Sequence, residues 1–168
     1  TFLEPVTPDQ GSQIKIRRQD FFLDIIGDGE SKEDFEKMAI GLGLGNNLKF
    51  HGWKPPQEVA AFMNTCDFFV LPSLHETFGS VYIEAMACGK PVIAASSGGP
   101  VEIVNKDTGI LVPPQNVEAL REAVEFIKDM LGRGEQVQKA LAGMTDEALR
   151  KSVIKKLKDL QLLSAKLG

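Results

Sequence analysis

The sequence is short of the residues that build cross-linked or metal-held folds. Two cysteines and two histidines are all that 168 residues contain. Cys66 and Cys88 lie in apolar surroundings without metal-ligand spacing, so they read as reduced core thiols and not as a disulfide framework or a zinc site. An excess of one charge is missing too. Nineteen Lys and Arg against 23 Asp and Glu leave a net charge of −4, and no global field draws the molecule to nucleic acid. Apolar runs such as residues 68–71 are far too short to span a bilayer. Residues 1–10 hold two prolines and no apolar block, unlike a signal peptide, so a cytoplasmic location is expected. No repeat or low-complexity stretch occurs. No Gly-x-Gly-x-x-Gly follows the first predicted strand, which argues against a dinucleotide dehydrogenase.

What is present is the composition of an ordinary globular domain, 43% hydrophobic and 25% charged. Short apolar runs that end in Gly, Pro or Ser alternate with segments of helical period. Residues 21–26, 48–51, 68–71, 92–95 and 110–112 predict strands buried on both faces. Residues 32–42, 57–64, 80–88, 101–105 and 117–131 predict helices, with Gly43 and Gly89 just past two of their ends. This alternation predicts an α/β fold, a Rossmann-like parallel sheet with helices on both faces.

The pattern places this domain over residues 1–131, although residues 1–19 carry no assignable element. Gly132 to Gly134 reads as a break before a helical extension over 132–168. There Thr145 is a fair N-cap before Asp146 and Glu147. Leu149, Val153, Leu157, Leu160 and Leu167 recur at helical spacing. Six basic and three acidic residues over 146–168 give that extension a local charge of +3. It reads as an amphipathic helix on its own or a neighbouring domain, with a membrane-surface role as the alternative.

In open parallel sheets, ligands bind beyond the carboxyl ends of the strands. Four predicted strand ends carry small or polar residues: Gly27-Asp28-Gly29-Glu30, Gly52-Trp53-Lys54, Pro72 to Glu76, and Ser96 to Pro100. Each alone is a turn, and the glycines of Gly27-Asp28-Gly29 and Gly98-Gly99-Pro100 are as consistent with a simple chain bend as with a site. Four on one sheet edge would wall a crevice. Phe78-Gly79-Ser80 opens a helix whose first amides lack intrahelical partners and face an anion with the positive end of the dipole. Gly79 would let a phosphate or sugar hydroxyl approach the backbone. Glu76 precedes this helix and Glu84 lies on it, and paired hydroxyls of a ribose or sugar suit such carboxylates. The plainer alternatives are a solvated helix face for Glu84 and an exposed loop acid for Glu76. His75 reads as an orienting residue, His51 as a satisfied core histidine, and Lys54 and Lys90 as solvated charges.

These residues resemble the donor-binding C-terminal domain of retaining glycosyltransferases of the GT-B fold, the large family-4 group. Glu76 and Glu84, with seven residues between them, look like that family's glutamate pair. Leu71-Pro72-Ser73, Glu76-Thr77-Phe78-Gly79 and the run from Glu84 to Ala94 follow its pattern almost continuously. So do Ile26 to Gly29, Phe50-His51-Gly52, Gly98-Gly99 and Gly109 to Val112. The resemblance covers about residues 20–130. It implies that Glu84 holds the ribose of a nucleotide-diphosphate sugar. Glu76, the catalytic candidate, would hold the transferred sugar with the backbone of Phe78 and Gly79, next to Ser80 and His75. Gly52, Trp53 and Lys54 would border the base, and Gly27 and Gly29 would flank the nucleotide.

The resemblance further implies retained configuration, no metal and no cofactor, with a UDP-, GDP- or ADP-sugar as substrate. The family's first strand, with the Arg and Lys that clamp the diphosphate, has no counterpart here. Lys15, Arg17 and Arg18 do not stand at the family's spacing. The acceptor-binding N-terminal domain is also missing, so the chain reads as a fragment or as one subunit of a two-part hexosyltransferase, inactive alone. A peripheral membrane contact would come through that other half. The alternatives are a non-catalytic sugar-nucleotide-binding module and half of a sugar-nucleotide epimerase.

Overall fold

A computed structural model describes residues 22–142 together with Glu147, Lys151 and Lys155, with side chains given except at 137–141. In chain order the elements are β1 (Leu23–Ile26), α1 (Lys32–Gly41), β2 (Leu48–Gly52), α2 (Pro56–Thr65), β3 (Phe69–Leu71), α3 (Ser80–Ala87), β4 (Val92–Ala95), α4 (Pro100–Ile103), β5 (Gly109–Val112) and α5 (Val117–Ala142). The five strands and five helices expected over these residues are all present, with shifted ends. The α/β Rossmann-like class therefore holds. Residues 1–21, including Phe21 of the first predicted strand, lie outside the described residues.

Among the described residues all strand pairs are parallel, and they form two hydrogen-bonded sets, β1-β2 and β3-β4-β5. Parallel neighbours need a crossover, and α1, α3 and α4 each supply one within a set. The helix α2 connects the two sets and packs on α3.

Burial corrects one expectation. Only β4 is buried throughout, with Val92, Ile93 and Ala94 at 0% exposure and Ala95 at 1%. Among the described residues it alone has a strand on each side, whereas β1, β3 and β5 lie at the edges of their sets and are mainly half-buried. Full burial of a Val or Ile contributes about 1.5–3 kcal/mol, so β4 is the most firmly seated strand. Met63, Tyr82, Ala85 and Val104 pack with it, along with half-buried Phe69, Leu71 and Leu111.

Two helices end as their glycines predict. Gly43 (φ 69°) and Gly89 (φ 71°) adopt the left-handed conformation just beyond α1 and α3. At each end the paired bonds of a Schellman motif close the helix: Gly43 to Ile40 and Leu44 to Ala39, then Gly89 to Met86 and Lys90 to Ala85.

The last helix departs from expectation. Asn116 caps α5 by accepting the Ala119 N–H at 2.9 Å. The helix then runs unbroken through Gly132 and Gly134. Glycine costs about 1 kcal/mol inside a helix without preventing it. Ion pairs one turn apart, Arg121–Glu125 at 2.7 Å and Arg133–Asp129, support the ladder. Two compact units are formed, Thr1–Leu120 and Arg121–Gly168. In the second, Glu147 pairs with Lys151 at 3.7 Å. Thr145, Asp146, Leu149, Val153, Leu157, Leu160 and Leu167 lie outside the described residues. Among the described residues, no helix is long and apolar enough to cross a membrane.

Candidate functional site

Parallel register brings carboxyl-terminal loops together within each strand set. Leu71 stands opposite Ala94 and Ala95 opposite Val112, so the loops after β3, β4 and β5 leave one edge. Ile26 stands opposite Gly52 in the other set. The predicted site residues accordingly gather into two groups.

The first group surrounds the connection from β3 to α3. The Tyr82 hydroxyl donates to the Leu71 carbonyl at 2.5 Å, and its ring meets Phe69 edge-on at 5.8 Å. Burial first, and the charge of Glu76 second, push the Tyr82 hydroxyl up to about 12, so it remains a donor at any physiological pH. Ser97 Oγ donates to the Leu74 carbonyl at 2.9 Å, and the Gly99 N–H to the Glu76 carbonyl at 3.0 Å. Glu76 is half-buried, while Glu84, on α3, is exposed. Neither carboxylate has a hydrogen-bonding or ionic partner among the described residues. Phe78 is 63% exposed, and His75 and Ser80 are exposed beside it.

Gly79 is the N-cap of α3, at φ 86°. A Cβ there would sit 2.7 Å from the Tyr82 ring. Glycine is thus required by its own conformation and by the tyrosine beneath it, a stronger reason than room for a ligand. The Tyr82 N–H turns back to the Gly79 carbonyl at 3.0 Å. The Ser80 and Val81 amides have no backbone carbonyl as partner among the described residues, which leaves open donors at the positive end of α3.

The second group joins the turn after β1 to the end of β2. The Gly27 N–H donates to the Gly52 carbonyl at 2.9 Å, and both glycines have positive φ. A Cβ on Gly52 would lie 3.6 Å from Lys32 Nζ. Asp28 Oδ1 accepts the Gly29 N–H at 3.0 Å and so shapes its own turn. Trp53, next in the chain, is 71% exposed. Lys54 is not a free charge, because Glu58 pairs with it at 3.0 Å. His51 is satisfied but half-buried, outside the core: Nε2 lies 2.6 Å from Asp24 Oδ1 and the ring packs on Phe62 at 4.5 Å. Cys66 and Cys88 are free and half-buried, and burial pushes the Cys66 thiol up.

Two contributors were not predicted, Asp24 and Tyr82, and Ser97 was expected only as part of a crevice wall, without its bond to Leu74. Tyr82 is the sole tyrosine of the chain and stands among small and aliphatic neighbours, the one sequence signal that could have marked it. Ser97 and Asp24 act through residues remote in sequence, so their partners could not be read locally.

The family model for glycosyl transferases group 1 matches residues 11–141. An uncharacterised glycosyltransferase of Methanocaldococcus jannaschii is 38% identical over 127 residues, 73% of this chain and 36% of its own length. The D-inositol 3-phosphate glycosyltransferase of Corynebacterium aurimucosum is 36% identical over 104 residues, 61% of this chain and 25% of its own. Among solved structures, Anabaena HepE in complex with UDP-glucose has a TM-score of 0.59 and 31% identity, covering 68% of this chain and 32% of that one. Sucrose-phosphate synthase from Thermosynechococcus elongatus has a TM-score of 0.56 and 30% identity, covering 84% and 38%. The chain thus spans a quarter to about a third of the curated relatives' length. With the family match running through both groups of site residues, the chain belongs to the group 1 glycosyltransferases, of GT-B fold.

Proposed function

We propose that this chain is the donor-binding C-terminal part of a retaining, family-4-type hexosyltransferase, which acts with an acceptor-binding N-terminal domain or subunit. The observation that carries the reading is the open start of α3, with one unpartnered carboxylate before it and another on the helix. Glu84 accepts two ribose hydroxyls. Glu76 and the backbone of Phe78 and Gly79 take the transferred sugar. The Ser80 and Val81 amides and the α3 dipole face the diphosphate and stabilise it as it departs. Gly27, Gly29, Gly52 and Trp53 border the nucleoside, and Lys54, held by Glu58, offers its methylene stem there. A UDP-, GDP- or ADP-sugar is the substrate, and the reaction needs neither metal nor cofactor. HepE, solved with UDP-glucose, supports this donor class.

A thermal-shift panel of UDP-, GDP- and ADP-sugars on this chain tests the reading, because a ligand that binds only the folded state raises its midpoint. A clear shift with one donor is expected. No shift with any of them overturns the proposal. A non-catalytic binding module is the second reading, favoured by the lack of any arginine from residue 22 to residue 120. Donor binding without transfer in the presence of the acceptor-binding half would select it.

A further inference from the structure

We infer that the turn Ser97-Gly98-Gly99 after β4 is a positioning element that holds the Glu76 loop in register for the sugar part of the donor. The inference rests on the donor-site reading above.

Three alternate residues of that loop present their carbonyls to the turn. Ser97 Oγ binds the Leu74 carbonyl at 2.9 Å, and the Gly99 N–H binds that of Glu76 at 3.0 Å. A Cβ on Gly98 would lie 2.1 Å from the Glu76 carbonyl oxygen, and one on Gly99 only 2.3 Å from that of Phe78. Gly98 also sits at φ 66°, where side chains are strained. Both glycines exist for close backbone contact, a requirement stricter than a bend.

The turn itself has a rigid base. It leaves the fully buried β4, its Ser96 N–H donates to the Val112 carbonyl at 2.8 Å, and Pro100 after it is fully buried. Force on the loop is therefore met by the best-packed strand. Among the described residues no hydrogen bond or ion pair joins Glu84 to these residues, so a fault in the turn should disturb the sugar's end of the site and spare the ribose's.

The test measures affinities of UDP and UDP-glucose, of GDP and GDP-mannose, and of ADP and ADP-glucose, by calorimetry on this chain and its Ser97→Ala, Ser97→Thr and Gly98→Ala variants. Hydrogen exchange at the Gly99 amide and across residues 74–79 is followed in parallel. For Ser97→Ala and Gly98→Ala we expect the bare nucleotide to bind as in the wild type. The ratio of sugar-nucleotide to nucleotide affinity should fall roughly three- to tenfold, as for a lost or displaced hydrogen bond. Exchange should quicken at Gly99 and over 74–79, and Ser97→Thr, which keeps the hydroxyl, should restore both readouts. Should Gly98→Ala fail to fold, Ser97→Ala decides alone.

An unchanged ratio in Ser97→Ala, or unchanged exchange, overturns the inference. If the wild type binds none of the nucleotides, the donor-site reading falls, and the exchange data still decide whether the turn holds the loop.

Discussion

Glu76 in the β3–α3 connection and Glu84 on α3 have different surroundings, and they should fail differently. Glu84 is exposed on α3 and free of partners among the described residues. Glu84→Gln keeps its shape and removes an ionic acceptor, a loss of about 1.5–3 kcal/mol, so nucleotide affinity should drop roughly ten- to a hundredfold by calorimetry. Glu76→Gln should leave the bare nucleotide's affinity nearly unchanged. Its effect should appear in the turnover of the assembled enzyme, where positive charge develops on the sugar. A wild-type nucleotide affinity in Glu84→Gln would refute the ribose assignment. Tyr82 offers a separate test, because tyrosinate absorbance in this chain reports one residue. The folded chain should titrate near about 12, against an ordinary value of 10.0. A raised tyrosine favours the fold in its neutral form. That stability is complete below about 10 and is lost as pH rises toward 12. Urea unfolding across this alkaline window should show the loss in the wild type and lack that component in Tyr82→Phe.

At the scale of elements, two glycines that look alike in sequence do different work. Gly89 closes α3 at φ 71° with open space around its Cβ position. Gly89→Ala should cost only the left-handed strain, about 1–2 kcal/mol. Gly79 starts the same helix at φ 86°, with the Tyr82 ring 2.7 Å from where a Cβ would stand. Gly79→Ala should add overpacking to strain, about 2–5 kcal/mol in all, read as a larger drop in the urea midpoint. Equal losses would show that the tyrosine moves aside freely. The Schellman end at Gly89 was legible because it depends on neighbours in sequence. The demand on Gly79 was legible only as a turn, since the packing of the Tyr82 ring beneath it is a property of the folded core.

At the scale of the molecule, the chain matches 36% and 25% of the lengths of two relatives, which bears on what it does alone. On the proposed reading it binds a sugar nucleotide but transfers nothing until the acceptor-binding part is supplied. Release of labelled sugar from the donor, with and without that part, measures this. Efficient transfer by the chain alone would refute it. The division into strand sets belongs to this scale as well. Four polar strand ends were expected along one sheet edge. Hydrogen bonding instead joins Gly27 to Gly52 in one set, and Leu74 and Glu76 to Ser97 and Gly99 in the other.

The order of strands and helices, the parallel class and the two glutamates on either side of the start of α3 were determined by the sequence itself. Apolar period, β-branched runs and helix-stop glycines act over a few residues, so their meaning survives without the fold. Which strand is central, why Gly98 and Gly99 must be glycine, and what holds Glu76 were decided by tertiary structure alone. The passage of α5 through Gly132 and Gly134 is instead local: glycine weakens a helix without ending it, and Arg121–Glu125 and Arg133–Asp129, one turn apart, add modest support. For the central strand, the two glycines and Glu76 the deciding atoms are a buried ring, a facing carbonyl or a neighbouring strand. Such contacts come into being only when residues separated along the chain are packed against one another.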